Sequence, residues 1–213
     1  MRTGFSKFWR IMTAGILPAV LFAHFELEAQ VAWESPMLMA PAQPGGFGVY
    51  LTDPDPGSGI GALLTWRSAG SPSSLGFRIG LAEGYRGELA ASGGVDFQAP
   101  IHSAGASFPL DVVVVAGIGA GVGEYGMVSL PFGVTLGRVL TFDGVRFTPY
   151  VTPRLSLDGH MGGRRPRRGA DLELIVDLGA DISFDPAWAI RFGASFGGRN
   201  ALAIGVALPG GAR

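Results

Sequence analysis

From Val145 to Leu208, apolar and polar residues alternate with few interruptions. In the first segment Val145, Phe147, Val151, Leu155 and Leu157 take one face, while Arg146, Thr148, Thr152, Arg154, Ser156 and Asp158 take the other. The next sets Leu172, Leu174, Val176, Leu178, Ile182 and Phe184 against Asp171, Glu173, Asp177, Asp181 and Ser183. A period of two marks strands whose two faces meet different surroundings. Both runs outlast an ordinary strand of roughly five or six residues and suit the roughly 9–11 residues of a tilted membrane-crossing strand.

The same alternation starts at Gly46 and gives about ten segments separated by turn-forming clusters. Phe47, Val49 and Leu51 lead into Asp53-Pro54-Asp55-Pro56-Gly57. Ile60, Ala62, Leu64 and Trp66 follow, then Leu75, Phe77, Ile79 and Leu81, then Leu89, Ala91, Val95 and Phe97. The fifth segment, from Leu110, is the least regular, because Val112 to Val115 is apolar on both faces. The sixth recovers with Val128, Leu130, Phe132, Val134 and Leu136. Asp143-Gly144 is a strong hairpin signal, since both residue types tolerate the positive φ of a primed turn. The last two segments carry Trp188, Ile190, Phe192, Ala194 and Phe196, then Leu202, Ile204, Val206 and Leu208.

One face of these segments is bulky and apolar; the other is Gly, Ser, Thr, Arg, Asp and Glu. A soluble barrel would turn the bulky set inward and leave many glycines in water, where they cost backbone entropy. A membrane barrel inverts the arrangement, with the bulky set toward lipid and charges paired across a narrow lumen. The fold class expected is therefore all-β: a single antiparallel up-and-down transmembrane barrel of about ten strands, with eight as the alternative. Arg67, Arg78, Arg146, Arg154 and Arg191 point inward with Glu88, Asp96, Asp111, Asp171, Glu173, Asp177 and Asp181 in this scheme. Opposite signs in comparable number suit a salt-bridged lumen better than a wide charged pore. Trp66, Phe108, Phe142, Phe147, Phe184 and Trp188 all lie beside alternate turns and so gather at one rim, the place of an aromatic girdle.

Composition agrees with a lipid-facing protein: 15% charged residues, 35 glycines without a collagen period, and a net charge of −1. The charge removes general attraction to nucleic acid. With no cysteine, the stability of an exported chain must come from another closed framework. Arg2, Lys7 and Arg10 precede the apolar stretch Ile11 to Phe25, and Glu26 and Glu28 follow. That order reads as a secretory signal, too short in its apolar part for a spanning helix. The domain reading is a signal peptide over 1–29 with cleavage after Ala29, or after Ala23 as the weaker option. An unstructured mature N-terminus over 30–45, containing Pro36, Pro41 and Pro44, follows; then the barrel over 46–208 and a tail over 209–213.

Leu130-Pro131-Phe132-Gly133-Val134-Thr135-Leu136-Gly137-Arg138 and Phe147-Thr148-Pro149-Tyr150-Val151 look like hairpin strands of small bacterial barrels. With the signal and the pattern, the stretch from Gly46 to Leu208 resembles the small outer-membrane β-barrel proteins of Gram-negative bacteria, the OmpA-like and OmpW-like group. The resemblance implies an outer-membrane address, lipid as solvent and the outer-membrane insertion machinery as partner. It implies a structural or interaction role, or a narrow pore for small solutes. Such barrels usually close on a C-terminal aromatic, whereas this chain ends Leu208-Pro209-Gly210-Gly211-Ala212-Arg213. Two rivals are a soluble periplasmic carrier of the lipocalin kind, holding an apolar ligand inside, and a membrane-embedded hydrolase or acyltransferase.

Candidate chemistry is sparse. Gly121-Val122-Gly123-Glu124-Tyr125-Gly126 has dinucleotide-fingerprint spacing, but Met127 to Gly137 alternates and supplies no helix to meet a pyrophosphate. His102, Ser103 and Asp111 have the residue types of a hydrolytic triad, yet nothing in the sequence makes them converge. His160 has no second metal-ligating partner at its strand end, and the inward acids have matching arginines, which suits pairing rather than an aspartyl protease. No catalytic residue, cofactor or metal ligand is expected, and the chain is not read as an enzyme. Arg164, Arg165, Arg167 and Arg168 form the one dense charge cluster and could hold the phosphates of lipopolysaccharide bidentately.

Overall fold

The computed structural model describes residues 32–41, 43–54, 59–69, 72–83, 88–123, 126–161 and 169–210. Among them there is no helix. The strands are β1 (Gly46–Asp53), β2 (Gly61–Arg67), β3 (Ser74–Glu83), β4 (Leu89–His102), β5 (Asp111–Val122), β6 (Gly126–Gly137), β7 (Leu140–Phe142), β8 (Val145–Met161), β9 (Gly169–Asp185), β10 (Trp188–Gly197) and β11 (Ala201–Pro209). Each long strand pairs antiparallel with its neighbours in sequence, β1 pairs with β11, and β6 pairs with β8. Ten strands therefore close into an up-and-down barrel with no free edge. The short β7 pairs with the first residues of β8 and stands at the rim. Its turn is the primed hairpin expected, with φ of 47° at Asp143 and 83° at Gly144.

The register sets which side chains share a face. Leu174 is 63% exposed, Phe192 41% and Ile204 56%, on the outside of the wall. Between them on the same strands Ile175, Asp177, Arg191 and Ala203 are buried. The bulky set thus looks out and the small or ionic set looks in, as the alternation requires.

The end of the barrel where β1 begins and β11 finishes is called the near end here. It carries the β2–β3, β4–β5, β6–β8 and β9–β10 connections; the other five connections lie at the far end. Residues 1–31, with the expected signal peptide, lie outside the described residues, as do Arg164, Arg165, Arg167 and Arg168 and the last three residues of the tail.

The sequence reading of 30–45 as unstructured fails for the described part of that segment. Trp33, Glu34, Met37, Leu38, Met39 and Ala40 are at most 3% exposed, although they belong to no strand. They run through the lumen as a plug. Pro41 sits against Gly137 near the β6 end, while Glu34 reaches Arg199 in the far-end turn between β10 and β11. Pro36 and Pro41 thus mark an ordered, buried segment rather than disorder. The segment turns at 33–36, where the Ser35 N–H donates to the Ala32 carbonyl at 3.3 Å, and burial of Trp33, Met37, Leu38 and Met39 works against the entropy cost of ordering it.

Candidate functional site

The plug and the wall that holds it form the densest polar arrangement among the described residues. Trp33 lies in a recess made by three inward glycines. A Cβ on Gly94 or Gly119 would collide with its indole, and one on Gly117 would stand 2.7 Å from Cη2. Gly94 and Gly119 are register partners across β4 and β5, so the recess spans two strands. The Arg78 guanidinium sits 5.7 Å from the centre of the Trp33 ring system, within cation–π range. Met37 and Met39 pack on Val113 and Val115, and Leu38 packs with Tyr50, Leu63 and Ala203. Loss of alternation at Val112 to Val115 thus has a cause: inward valines there meet apolar plug residues rather than a polar lumen.

The wall also reads the plug's backbone. Arg78 Nη1 donates to the carbonyls of Trp33 (3.5 Å) and Pro36 (3.3 Å), Gln98 Nε2 to that of Ala40 (3.3 Å), and Arg191 Nη1 to that of Leu38 (3.5 Å). None of these carbonyls belongs to a strand ladder, although that of Pro36 also accepts the Leu38 N–H at 3.1 Å, and a buried carbonyl left bare would be costly. At the far end the Glu34 carboxylate pairs with Arg199 and lies 3.5 Å from Arg154 Nη1. Arg199 also pairs with Asp158 and, at 3.2 Å, with Glu173.

The rest of the lumen is ion pairs within the wall. Arg67 and Arg78 share Asp96. Arg154 Nε donates to Asp177 at 2.6 Å. Arg191 meets Asp181 through two parallel bonds of 2.7 and 2.5 Å, the bidentate geometry that suits a guanidinium and a carboxylate. Thr135 and Thr152 hydroxyls bond across β6 and β8 at 2.8 Å.

Of the twelve inward charges expected, Arg67, Arg78, Asp96, Arg154, Asp177, Asp181 and Arg191 are buried and paired, and Glu173 joins them half-buried. Four stand elsewhere. Glu88 is exposed just before β4, where the wall has not yet formed. Asp171 is exposed because β9 extends past the last β10 pairing at Ile175, and its neighbour is His160 at 3.5 Å. Asp111 begins β5 at the near end and accepts the Ala104 N–H at 2.8 Å, closing its own connection. Arg146 faces inward but stands at the near-end mouth, exposed. Sequence reading missed Glu34, Asp158 and Arg199 as members. Asp158 shares the face of Arg154 and was legible; Arg199 lies in a turn and Glu34 in the plug, where strand parity says nothing.

The six rim aromatics all lie at the near end. Trp66 packs against Phe77 with centroids 5.6 Å apart, Phe184 against Trp188 at 6.0 Å, and Phe108 against His102 at 5.4 Å. Phe142 is exposed on β7 and Phe147 part-exposed on β8. His102 and Ser103 are exposed, no hydrogen bond joins them among the described residues, and Asp111 is taken by the backbone of Ala104. The glycine fingerprint lies across the β5–β6 hairpin, where Gly121 pairs with Met127, so a strand rather than a helix follows it.

Fold and site together define a class, a closed ten-stranded antiparallel barrel with an ionic lumen occupied by its own N-terminal segment. No family model matches the sequence, nor does any curated protein.

Proposed function

We propose that this chain is an integral outer-membrane barrel, closed by its own plug, with a structural or interaction role in the envelope. It passes at most small solutes. The observation that carries the reading is the sidedness of the wall. Phe47, Leu51, Leu81, Phe132, Leu172 and Phe184 are each more than half exposed, on strands from β1 to β9. Monomeric soluble proteins rarely leave contiguous apolar surface beyond a few hundred Å², whereas a bilayer accepts it on every strand. A lipocalin-like carrier needs an apolar cavity inside. This lumen instead buries Arg67, Arg78, Arg154, Arg191 and Arg199 with their carboxylates. Lipid is then the main partner, the insertion machinery its route, and lipopolysaccharide a ligand for the four arginines at 164–168.

Fractionation tests the address. The processed protein is expected to stay in the membrane pellet through osmotic shock and a urea wash and to need detergent for release. Release by osmotic shock alone contradicts the proposal.

A further inference from the structure

Below the plug, the near end opens into a cavity of about 580 Å³. Its floor is made by Thr148, Asp181, Arg191 and Tyr50, members of one register row that runs across β8, β9, β10, β11 and β1. The charges of this floor are spent on one another. Asp181 and Arg191 are locked bidentately, and the Tyr50 hydroxyl accepts from Arg191 Nη1 at 3.2 Å. One step toward the mouth, Arg146 stands between its register partners Thr141 on β7 and Ser183 on β9. Further round that row, Ala189 and Ala207 are register partners on β10 and β11. Their small side chains line the same cavity as Arg146.

Arg146 is a cation with no described counterion. Asp181 belongs to Arg191. Asp185 also lines the cavity, at its lip, but makes no ion pair with Arg146, and its Oδ1 accepts the Ala187 N–H at 2.7 Å. Every buried arginine of the lumen has a carboxylate; this inward-facing one has instead a hydroxyl on each side and a cavity ahead. A guanidinium flanked by hydroxyl donors and set in a recess suits an oxyanion, because it offers two parallel N–H bonds where water and Ser or Thr complete the shell.

We infer that the near-end vestibule is a binding site for a small free oxyanion, a carboxylate or phosphate, held by Arg146 with Thr141 and Ser183. The site goes beyond the membrane reading and does not depend on it, since a barrel in detergent or in water presents the same vestibule.

Calorimetric titration of the full-length chain in neutral detergent tests it, with succinate and inorganic phosphate as probes and glycerol as an uncharged match. At least one anion is expected to bind saturably at one site and glycerol not to bind. Arg146→Gln should weaken that binding by about tenfold or more, as loss of a charge-assisted bidentate pair implies. Arg146→Lys should retain part of it. Ala207→Leu, which fills the space but keeps the charge, should weaken it too, while Arg138→Gln, on the exposed connection outside the cavity, leaves it unchanged. Absence of saturable binding to either anion, undiminished affinity in Arg146→Gln, or equal binding of glycerol would each overturn the site. So would binding of phosphatidate micelles without binding of either free anion, which makes Arg146 a lipid contact.

Discussion

A tryptophan seated on three glycines gives the lumen its tightest fit. Gly94, Gly117 and Gly119 are needed less for backbone freedom than for the volume a Cβ would take from the Trp33 indole. Gly119→Ala is therefore an overpacking change in a rigid wall, which costs about 1–3 kcal/mol. Urea unfolding of the refolded barrel should show that loss, whereas Gly169→Ala, with nothing within 4 Å of its Cβ, should be near neutral. An equal effect at both positions would mean that Trp33 does not fill the recess. At this scale strand parity put Arg67, Asp96, Arg154, Asp177, Asp181 and Arg191 on the inward face without saying which would meet; the structure pairs them as Arg67–Asp96, Arg154–Asp177 and Arg191–Asp181. It overreached at Glu88 and Asp171, where the strand's neighbours have ended and water is available.

Among elements, the plug departs most from what the sequence suggested. Its signal lay in β5 rather than in the plug itself. Val113 and Val115 are apolar where the lumen should be polar, and they face Met37 and Met39. A break in alternation on one strand announces a partner inside the barrel, but it does not say which segment supplies it. The latch of that segment is Glu34. In Glu34→Gln the wall keeps its own pairs, Arg154 with Asp177 and Arg199 with Asp158, so the barrel should persist while the plug loosens. Loss of hydrogen bonds to a charged group is worth about 1.5–3 kcal/mol, a tenfold or greater rise in the released population. Limited proteolysis should then cut within residues 32–41 at least ten times faster than in the parent, with the barrel intact. Unchanged cleavage would show that Glu34 does not hold the plug.

The outer wall yields a discriminating substitution on β10. Phe192 is 41% exposed, so an arginine there meets whatever solvent surrounds the barrel. In a bilayer Phe192→Arg should cost about 2–4 kcal/mol near the midplane, falling toward the interfaces. In water an exposed position would tolerate it within about 0.5 kcal/mol. Refolding into liposomes, compared with the parent in urea, reads the difference directly.

For the whole molecule, closure and sidedness were the legible parts, because both follow from a period of two and from the absence of any long helical pattern. The identity of the segment that occupies the interior was not legible. Which segment enters a lumen depends on volumes that only the assembled wall defines, and Gly94 and Gly119 become neighbours only through the β4–β5 register. The assembled picture is a cylinder with an apolar outer wall, paired buried charges and its own segment 32–41 inside. The sequence contains no cysteine, so single cysteines can carry a spin label along β9 without background. In liposomes, oxygen collisions should peak at Leu174, Val176 and Leu178 and drop at Ile175 and Asp177, with a water-soluble nickel complex excluded from the first set. Nickel access to Leu174 and Leu178 equal to that of a loop position would mean that water, not acyl chains, covers the outer wall.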